Sequence, residues 1–562
     1  MLAAIARLEL RFHAREFLTY VYALVFFLLA FAFASGSGIE LVRDRGAVPR
    51  GAPWTIAHAV AGLTAFGQLM TAFIAATALL RDAATRMEPL LFATGLTRRA
   101  YVGGKLLGAM ATMLLVYLAI PAGLTLGAAM PWAPPDAAPV TAGALAWPAA
   151  ILVLPNVVLV TAAFFAGGMV SRSFVAVAVT GLSLVAAWQA GLALVASDAT
   201  RMLGALVDPF GNAAIEAATA GWGTADRSSL PLPLAPYVAA NRALWGAVAL
   251  GMTAVVLARF RLTPIPAVAS RAARRPGNVQ LPISAMPHAA AVEAERRDHW
   301  AGDARAWMRL TMRTILLERG FVAIAVLAVL NVTANLLAEP AITAAAMANS
   351  VVVHARVFLI LLATIYAGEL VWRERDLRVR PLADAVPASS SAEVAGKTAG
   401  LAVASCGVGA LLGAVAVPVF LARGVGSDPG ALLVGAVLLP AAMLFALAML
   451  SLAVHAAMHS KVRAHFALIA VWVVSVALAE GGTRVRLADL LRADAVDPRV
   501  RIAALLCLGG AGAALATLCW TRGSPARGRG RLAMIDRRQA TVALTLAAAC
   551  IVAAMVLASR LG

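Results

Sequence analysis

A chain of 562 residues with 62% apolar residues, 13% charged residues and a mean hydropathy of +0.85 is not a soluble protein. Few charges and many long apolar runs place it among polytopic membrane proteins. The net charge of +19 does not mark a nucleic-acid binder, because the arginines gather at the ends of apolar segments, as topology signals do.

Residues 1–16 read as an amphipathic helix lying in the membrane interface. Arg7, Arg11 and Arg15 fall on one face at i, i+4 spacing, with Ile5, Leu8 and Phe12 on another. The pattern returns at Arg305, Arg309 and Arg313, with Met308, Met312 and Ile315 on the apolar side. Charge and apolar residues are mixed before a full-length span, so a cleaved signal peptide is not expected.

Apolar stretches long enough for a hydrocarbon core of ~30 Å follow. Residues 17–258 hold six, near 17–36, 55–79, 103–128, 140–168, 174–196 and 239–258. An Arg- and Pro-rich stretch, 259–305, reads as a cytoplasmic linker. Residues 306–520 hold a second amphipathic helix and six more spans, near 320–338, 350–371, 396–421, 430–454, 464–481 and 502–520. A basic segment and a thirteenth span near 541–558 complete 521–562. The expected fold is an all-α polytopic membrane protein of about 13 transmembrane helices, in two six-helix halves related by a pseudo-twofold, plus one extra C-terminal span. Basic loops place the N-terminus in the cytoplasm, and an odd span count places the C-terminus outside. Residues 197–238 and 482–501 read as ordered external loops.

One stretch recurs without a gap. Arg81 to Gly108 returns as Arg373 to Gly400, with Arg81, Arg86, Pro89, Leu90, Ala93, Ala100, Val102, Gly104, Lys105 and Gly108 all finding the same residue. The counterparts of interest are Arg373, Arg378, Pro381, Leu382, Gly396, Lys397 and Gly400. Each copy joins two spans on the basic side. It has short helical potential around Met87, Leu90 and Leu91, and a few apolar residues among charges form a surface a partner protein can grip. Gly104 with Gly108, and Gly396 with Gly400, form GxxxG pairs that let helices approach closely. Lys105 and Lys397 sit at the inner membrane boundary.

Other patterns lead nowhere chemical. Gly396-Lys397-Thr398 resembles the end of a phosphate-binding loop, but Ser391 stands where that loop needs glycine. His455 and His459 are spaced i, i+4, but Ala456 follows the first where a zinc protease has glutamate. Cys406, Cys507, Cys519 and Cys550 fall in apolar segments without metal-ligand spacing. No catalytic, cofactor or metal site is expected. Gln68, Asn156, Gln189, Asn331, Asn335 and Glu369 are polar residues within spans, and such residues are costly in hydrocarbon. Glu369 lies within a turn of Arg373, and an ion pair between them is expected. Pro155 and Pro440, in corresponding spans, predict matching kinks.

An amphipathic helix, six spans, a basic loop after span two and a long outer loop between spans five and six resemble an ABC-2 type (type V, exporter-like) transporter permease. ARLELRFHAREFLTYVYALVFFLLAF is similar to the start of such subunits. ELVWRERDLRVRPLADAVP resembles the permease portion of bacterial proteins that fuse a two-half permease to an M1 family aminopeptidase. The resemblance implies a bacterial inner-membrane permease with both halves in one chain, and export is implied by the family resemblance alone. It implies two cytosolic ABC ATPase subunits as partners, with ATP and Mg bound on them and no cofactor in this chain. The coupling helices that dock on the ATPases would be Arg81 to Thr97 and Arg373 to Ser389. The chain has no HExxH, so an extracytoplasmic M1-like peptidase would be a separate partner. The alternatives are a secondary transporter of twelve-span type and a membrane anchor or assembly subunit for such a peptidase.

Overall fold

Apolar runs with no polar stripe fold as helices, because in hydrocarbon every backbone N–H and C=O must be satisfied within its own segment. In a computed structural model the described residues form helices and no strand. The structure describes 1–260, 262, 300–380, 389–472, 498–520 and 537–559, apart from 38, 43–44, 86, 137–139, 172–173, 235, 339–343, 378, 425–427, 459, 462, 466 and 469–470.

Among the described residues, eleven helical stretches are long and apolar enough to cross a membrane. In the first part of the chain they are Phe17–Ala34, Pro53–Leu79, Arg98–Ala128, Ala142–Gly168, Ala176–Val195 and Tyr237–Arg259. In the second they are Arg319–Leu337, Asn349–Asp376, Ser390–Ala422, Pro429–Ala457 and Pro498–Cys519. The protein is therefore a multi-pass helical membrane protein. Most of the span expected near 464–481 lies outside the described residues. The one expected near 541–558 falls in a helix, Arg537–Ser559, whose shorter apolar stretch is Leu544–Ala553.

The helices that position the site are these. Helix α1 (Leu2–His13) precedes α2 (Phe17–Ala34) and α3 (Pro53–Ala84). The short α4 (Glu88–Ala93) and the long α5 (Arg98–Tyr117) follow, then α6 (Ala119–Ala128) and α7 (Ala142–Pro148). Next come α8 (Leu154–Ser171) and α9 (Phe174–Val195). Three short helices, α10 (Arg201–Val207), α11 (Asn212–Ala218) and α12 (Thr224–Ser229), lead to α13 (Tyr237–Arg259). Helix α14 (Trp300–Leu316) begins inside the stretch read as linker, of which 261 and 263–299 lie outside the described residues. Then come α15 (Arg319–Ala338), α16 (Ala344–Asp376), α17 (Ser390–Ala422), α18 (Pro429–Leu432), α19 (Leu439–Ala457) and α20 (Pro498–Cys519).

The two prolines act alike. Pro155 and Pro440 have no N–H to give the carbonyl four residues back. Each is preceded by one π-helical turn, Ala149–Val153 and Leu433–Leu438, which absorbs the missing bond.

Two apolar cores form, one around Phe26, Phe164, Phe165 and Phe210, the other around Phe358, Tyr366, Phe420 and Met443. Helix α9 joins them: it packs on α15, and its Leu182 belongs to the second core. There Asn331 donates to Gln189 Oε1 at 2.6 Å and to the His354 carbonyl at 2.9 Å. Asn335 donates to the Asn331 carbonyl one turn below.

The 197–238 loop does not simply lie outside. Helix α11 packs against α3, α9 and α13, and Ala213, Ala214 and Ile215 are fully buried. Asn156 on α8 donates to Thr64 Oγ1 at 3.0 Å and to the Phe210 carbonyl at 3.1 Å. Thr64 lies eleven residues into α3, roughly 16 Å along its axis at 1.5 Å per residue. The loop tip thus reaches about a third of the way along α3. Non-helical backbone is tolerated at that depth only where side chains satisfy it. Asn241 donates to the Ala205 and Asp208 carbonyls, and Arg242 to the Pro209 carbonyl. Asp208 accepts from the Phe210 and Ala213 amides, both at 2.7 Å.

Candidate functional site

Both copies of the repeated loop are anchored by a lysine that does not reach water. Lys105 is 1% exposed and Lys397 2%. Each is placed by an N-cap at the start of its helix. Thr97 accepts from the Ala100 amide, and the matching Ser389 accepts from the Ala392 amide. Each ammonium then donates to the carbonyl 27 residues earlier, Ala78 in α3 and Leu370 in α16. The repeated lysine therefore ties the end of one span to the start of the next.

Carboxylates complete each anchor. In the first, Lys105 pairs with Asp82 at 2.7 Å and Glu9 at 3.4 Å, and Arg81 pairs with Glu9 at 2.6 Å. Tyr101 donates its hydroxyl to Asp82 at 2.8 Å, and the Arg81 guanidinium lies 4.2 Å over the Phe12 ring. In the second, Lys397 pairs with Glu374 at 2.8 Å and Glu393 at 2.9 Å. Arg380 reaches the same two carboxylates at 2.7 and 2.8 Å. Each set holds two cations and two anions and is neutral. A buried ion set of this kind is weak evidence for net stability, but it penalises any other arrangement of the same helices.

The glycine pairs receive the amphipathic helices. A Cβ on Gly104 would lie 2.6 Å from Ile5 Cβ, and one on Gly108 would lie 2.5 Å from Glu9 Cβ. A Cβ on Gly396 would lie 2.4 Å from Trp307 Cβ, and one on Gly400 would lie 2.7 Å from Thr311 Cβ. So α1 packs on α5 and α14 on α17, each through one GxxxG face.

Helix α4 projects from the first anchor. Its Pro89 occupies the first turn, where a missing N–H costs nothing. Leu90 is 64% exposed and Met87 is also exposed. Arg86, Arg378, Pro381 and Leu382 lie outside the described residues. Arg373 is exposed at the end of α16 and does not copy the role of Arg81.

Glu369 does not pair with Arg373. Lys461, from the segment after α19, comes within 2.6 Å of it and also reaches Asp376 at 2.9 Å. The chain-distant lysine displaces the expected partner because it crosses the end of α16, while Arg373 lines a cavity beside α14. Beside this pair, His455 and His465 are buried with ring centroids 4.5 Å apart, and Trp372 donates to His455 Nδ1 at 3.2 Å. His459 lies outside the described residues. Among the described residues no three His, Cys, Asp or Glu side chains are grouped to hold a metal ion.

The chain matches no protein-family model and no curated protein. The site must therefore be read from its own geometry: ion sets tie the ends of consecutive spans together, and the short α4, with Met87 and Leu90 exposed at its start, lies in the loop between α3 and α5.

What the spacing did not single out were the acids. Glu9, Asp82, Glu374 and Glu393 hold the lysines, and the gapless alignment does place Asp82 opposite Glu374. That acidic match was the available signal. Glu9 has none, because it arrives from 72 residues before Arg81.

The first anchor carries a pH signature. Burial first, with Arg81 and Lys105 working against Glu9, holds His13 down at about 4. For Asp82, burial works upward, but Lys105 and the hydrogen bonds from Lys105 and Tyr101 outweigh it and leave the carboxyl below its usual range. His13 takes up its proton on unfolding at any pH between about 6.5 and 4, so the folded state loses stability as pH falls through that window. Asp82 contributes stability above its unfolded value and loses it as pH falls through its folded one. We expect the thermal midpoint to fall from pH 7 to pH 5, the His13 share being about 2 kcal/mol. His13→Gln should flatten this slope in a fluorescence melting series, and an equally steep slope would refute the assignment.

Proposed function

We propose that the chain is the membrane subunit of an ABC-2 type transporter, with both transmembrane halves in one polypeptide. It takes ATP-driven motion from two cytosolic nucleotide-binding subunits and moves substrate across a bacterial inner membrane, in the export direction. One observation carries the reading: α4 presents Met87 and Leu90 outward from a loop whose base is fixed to two spans by Lys105. A push on α4 is transmitted to α3 and α5 instead of being absorbed by a slack loop. The second anchor, around Lys397, supports a second docking point of the same kind. Closure of an ATPase pair would then rock the two halves in alternating access.

The test is recovery of partners from mildly solubilised native membranes. A tagged chain should bring down a cytosolic ATPase at about two copies per chain. Met87→Ser with Leu90→Ser removes the apolar contact and spares the ion anchor. Two exposed apolar side chains are worth about 1.5–3 kcal/mol each when buried, so ATPase recovery should drop at least tenfold, with insertion unchanged. Undiminished recovery would remove α4 from the coupling surface. Reproducible recovery of the chain alone would favour a gradient-driven carrier instead.

A further inference from the structure

The two anchors differ at one residue, and the difference releases an arginine. Gly108 packs against Glu9 and Gly400 against Thr311, so these two residues hold matching places on α1 and α14. Glu9 is the carboxylate that binds Arg81. Thr311 carries no charge, and Arg373, the match of Arg81, makes no ion pair with a described carboxylate. It lines an open surface depression, a cavity of about 390 Å³, with Arg313, Thr314, Leu317, Glu318 and Arg319.

The cavity lies where the last turns of α14 and α16 meet the first turn of α15. Three guanidinium groups face one carboxylate there, an excess of two positive charges. An apolar track leads away from it. Leu317 is 78% exposed at the foot of α15, and Val322, Val326, Leu330 and Leu337 are exposed along that helix. The spacings of four, four and seven from Val322 to Leu337 put those four on one stripe.

We propose that this cavity binds the phosphate headgroup of an anionic phospholipid whose acyl chains lie along the α15 stripe. The guanidinium groups supply charge-assisted hydrogen bonds to phosphate oxygens. The stripe favours a lipid over free phosphate, which has no use for it. The first half lacks the combination. Aligning Glu9 with Thr311 sets Glu16 opposite Glu318 but puts Phe17 opposite Arg319, and Arg81 is held by Glu9. The inference rests on the membrane architecture and does not depend on the transport reading.

The experiment is native mass spectrometry of the full chain titrated with phosphatidylglycerol in phosphatidylcholine-containing detergent. The wild type should retain phosphatidylglycerol against phosphatidylcholine. Arg319→Gln with Arg373→Gln should weaken this about thirtyfold, from roughly 1 kcal/mol for each arginine near an anionic headgroup. Arg309→Gln, on the same helix outside the cavity, should leave it unchanged, and Glu318→Gln should strengthen it. These arginines are exposed, so the variants keep their fold. Equal retention by the double variant, or equal loss in Arg309→Gln, overturns the proposal. Displacement of the lipid by inorganic phosphate at equal concentration assigns the cavity to a free anion. Loss of ATPase recovery in the double variant with lipid retention intact assigns the surface to protein docking.

Discussion

Replacing Lys105 by methionine should lower the stability of the first half by about 3–5 kcal/mol, the usual effect of breaking a buried ion set from one side. The size follows from what is left behind. Asp82 and Glu9 would face only Arg81, and the Ala78 carbonyl would lose its donor. Methionine fills most of the volume, so a cavity contributes little to the loss. Glu9→Gln alone should cost less, because Asp82 still balances Lys105. Combined with Lys105→Met it should be markedly less damaging than the sum of the singles, since the pair removes one charge of each sign. A melting series of the four proteins in lipid nanodiscs decides this. Additive losses would mean that the four charges do not act as a set.

Arg242→Met should release the inward-dipping loop. Arg242 donates to Asn156 Oδ1 at 2.8 Å, to Asn241 Oδ1 and to the Pro209 carbonyl. Without it two amide oxygens and a carbonyl lose their donor, and the fully buried Asp208 loses its nearby cation. The expected loss is about 3 kcal/mol or more. Amide hydrogen exchange over 210–218 should then rise about a hundredfold, as it does when a segment opens locally by that amount. Asp226→Asn, on the exposed α12, should leave exchange there unchanged. Protection surviving Arg242→Met would show that apolar packing of α11 alone holds the loop in place.

The spans were legible because each is an unbroken apolar run, and run length against bilayer thickness needs no tertiary information. That Pro155 and Pro440 occupy corresponding places was legible, and the structure puts a π turn before each. The repeated lysines stood out as a pair, but their burial did not. A lysine at the end of an apolar run ordinarily reaches for the interface. Here the chain-distant Glu9 and Asp82 hold Lys105 inside, while Lys397 is held by Glu374 and by Glu393, which lies one turn earlier on its own helix. The glycine pairs announced close helix approach without naming the partner, since α1 lies nearly a hundred residues upstream of Gly104. Asn156 read as a costly polar residue within a span, and it supports the loop carbonyl at Phe210. Its partner came from a stretch whose composition reads as exterior. Pattern reports the period of an element, and these contacts join elements whose periods are unrelated.

The contact between Gln189 and Asn331 also sets an order of assembly. Helix α9 finds its amide partner 142 residues later in the chain. At about 5–20 residues per second of synthesis, Gln189 waits on the order of 10 s before α15 exists. During that interval a polar side chain faces lipid or whatever inserts the nascent chain. Span five thus carries a polar group whose partner is made only with the second half, and a stalled ribosome between the two halves would leave a membrane-embedded fragment with an unanswered amide.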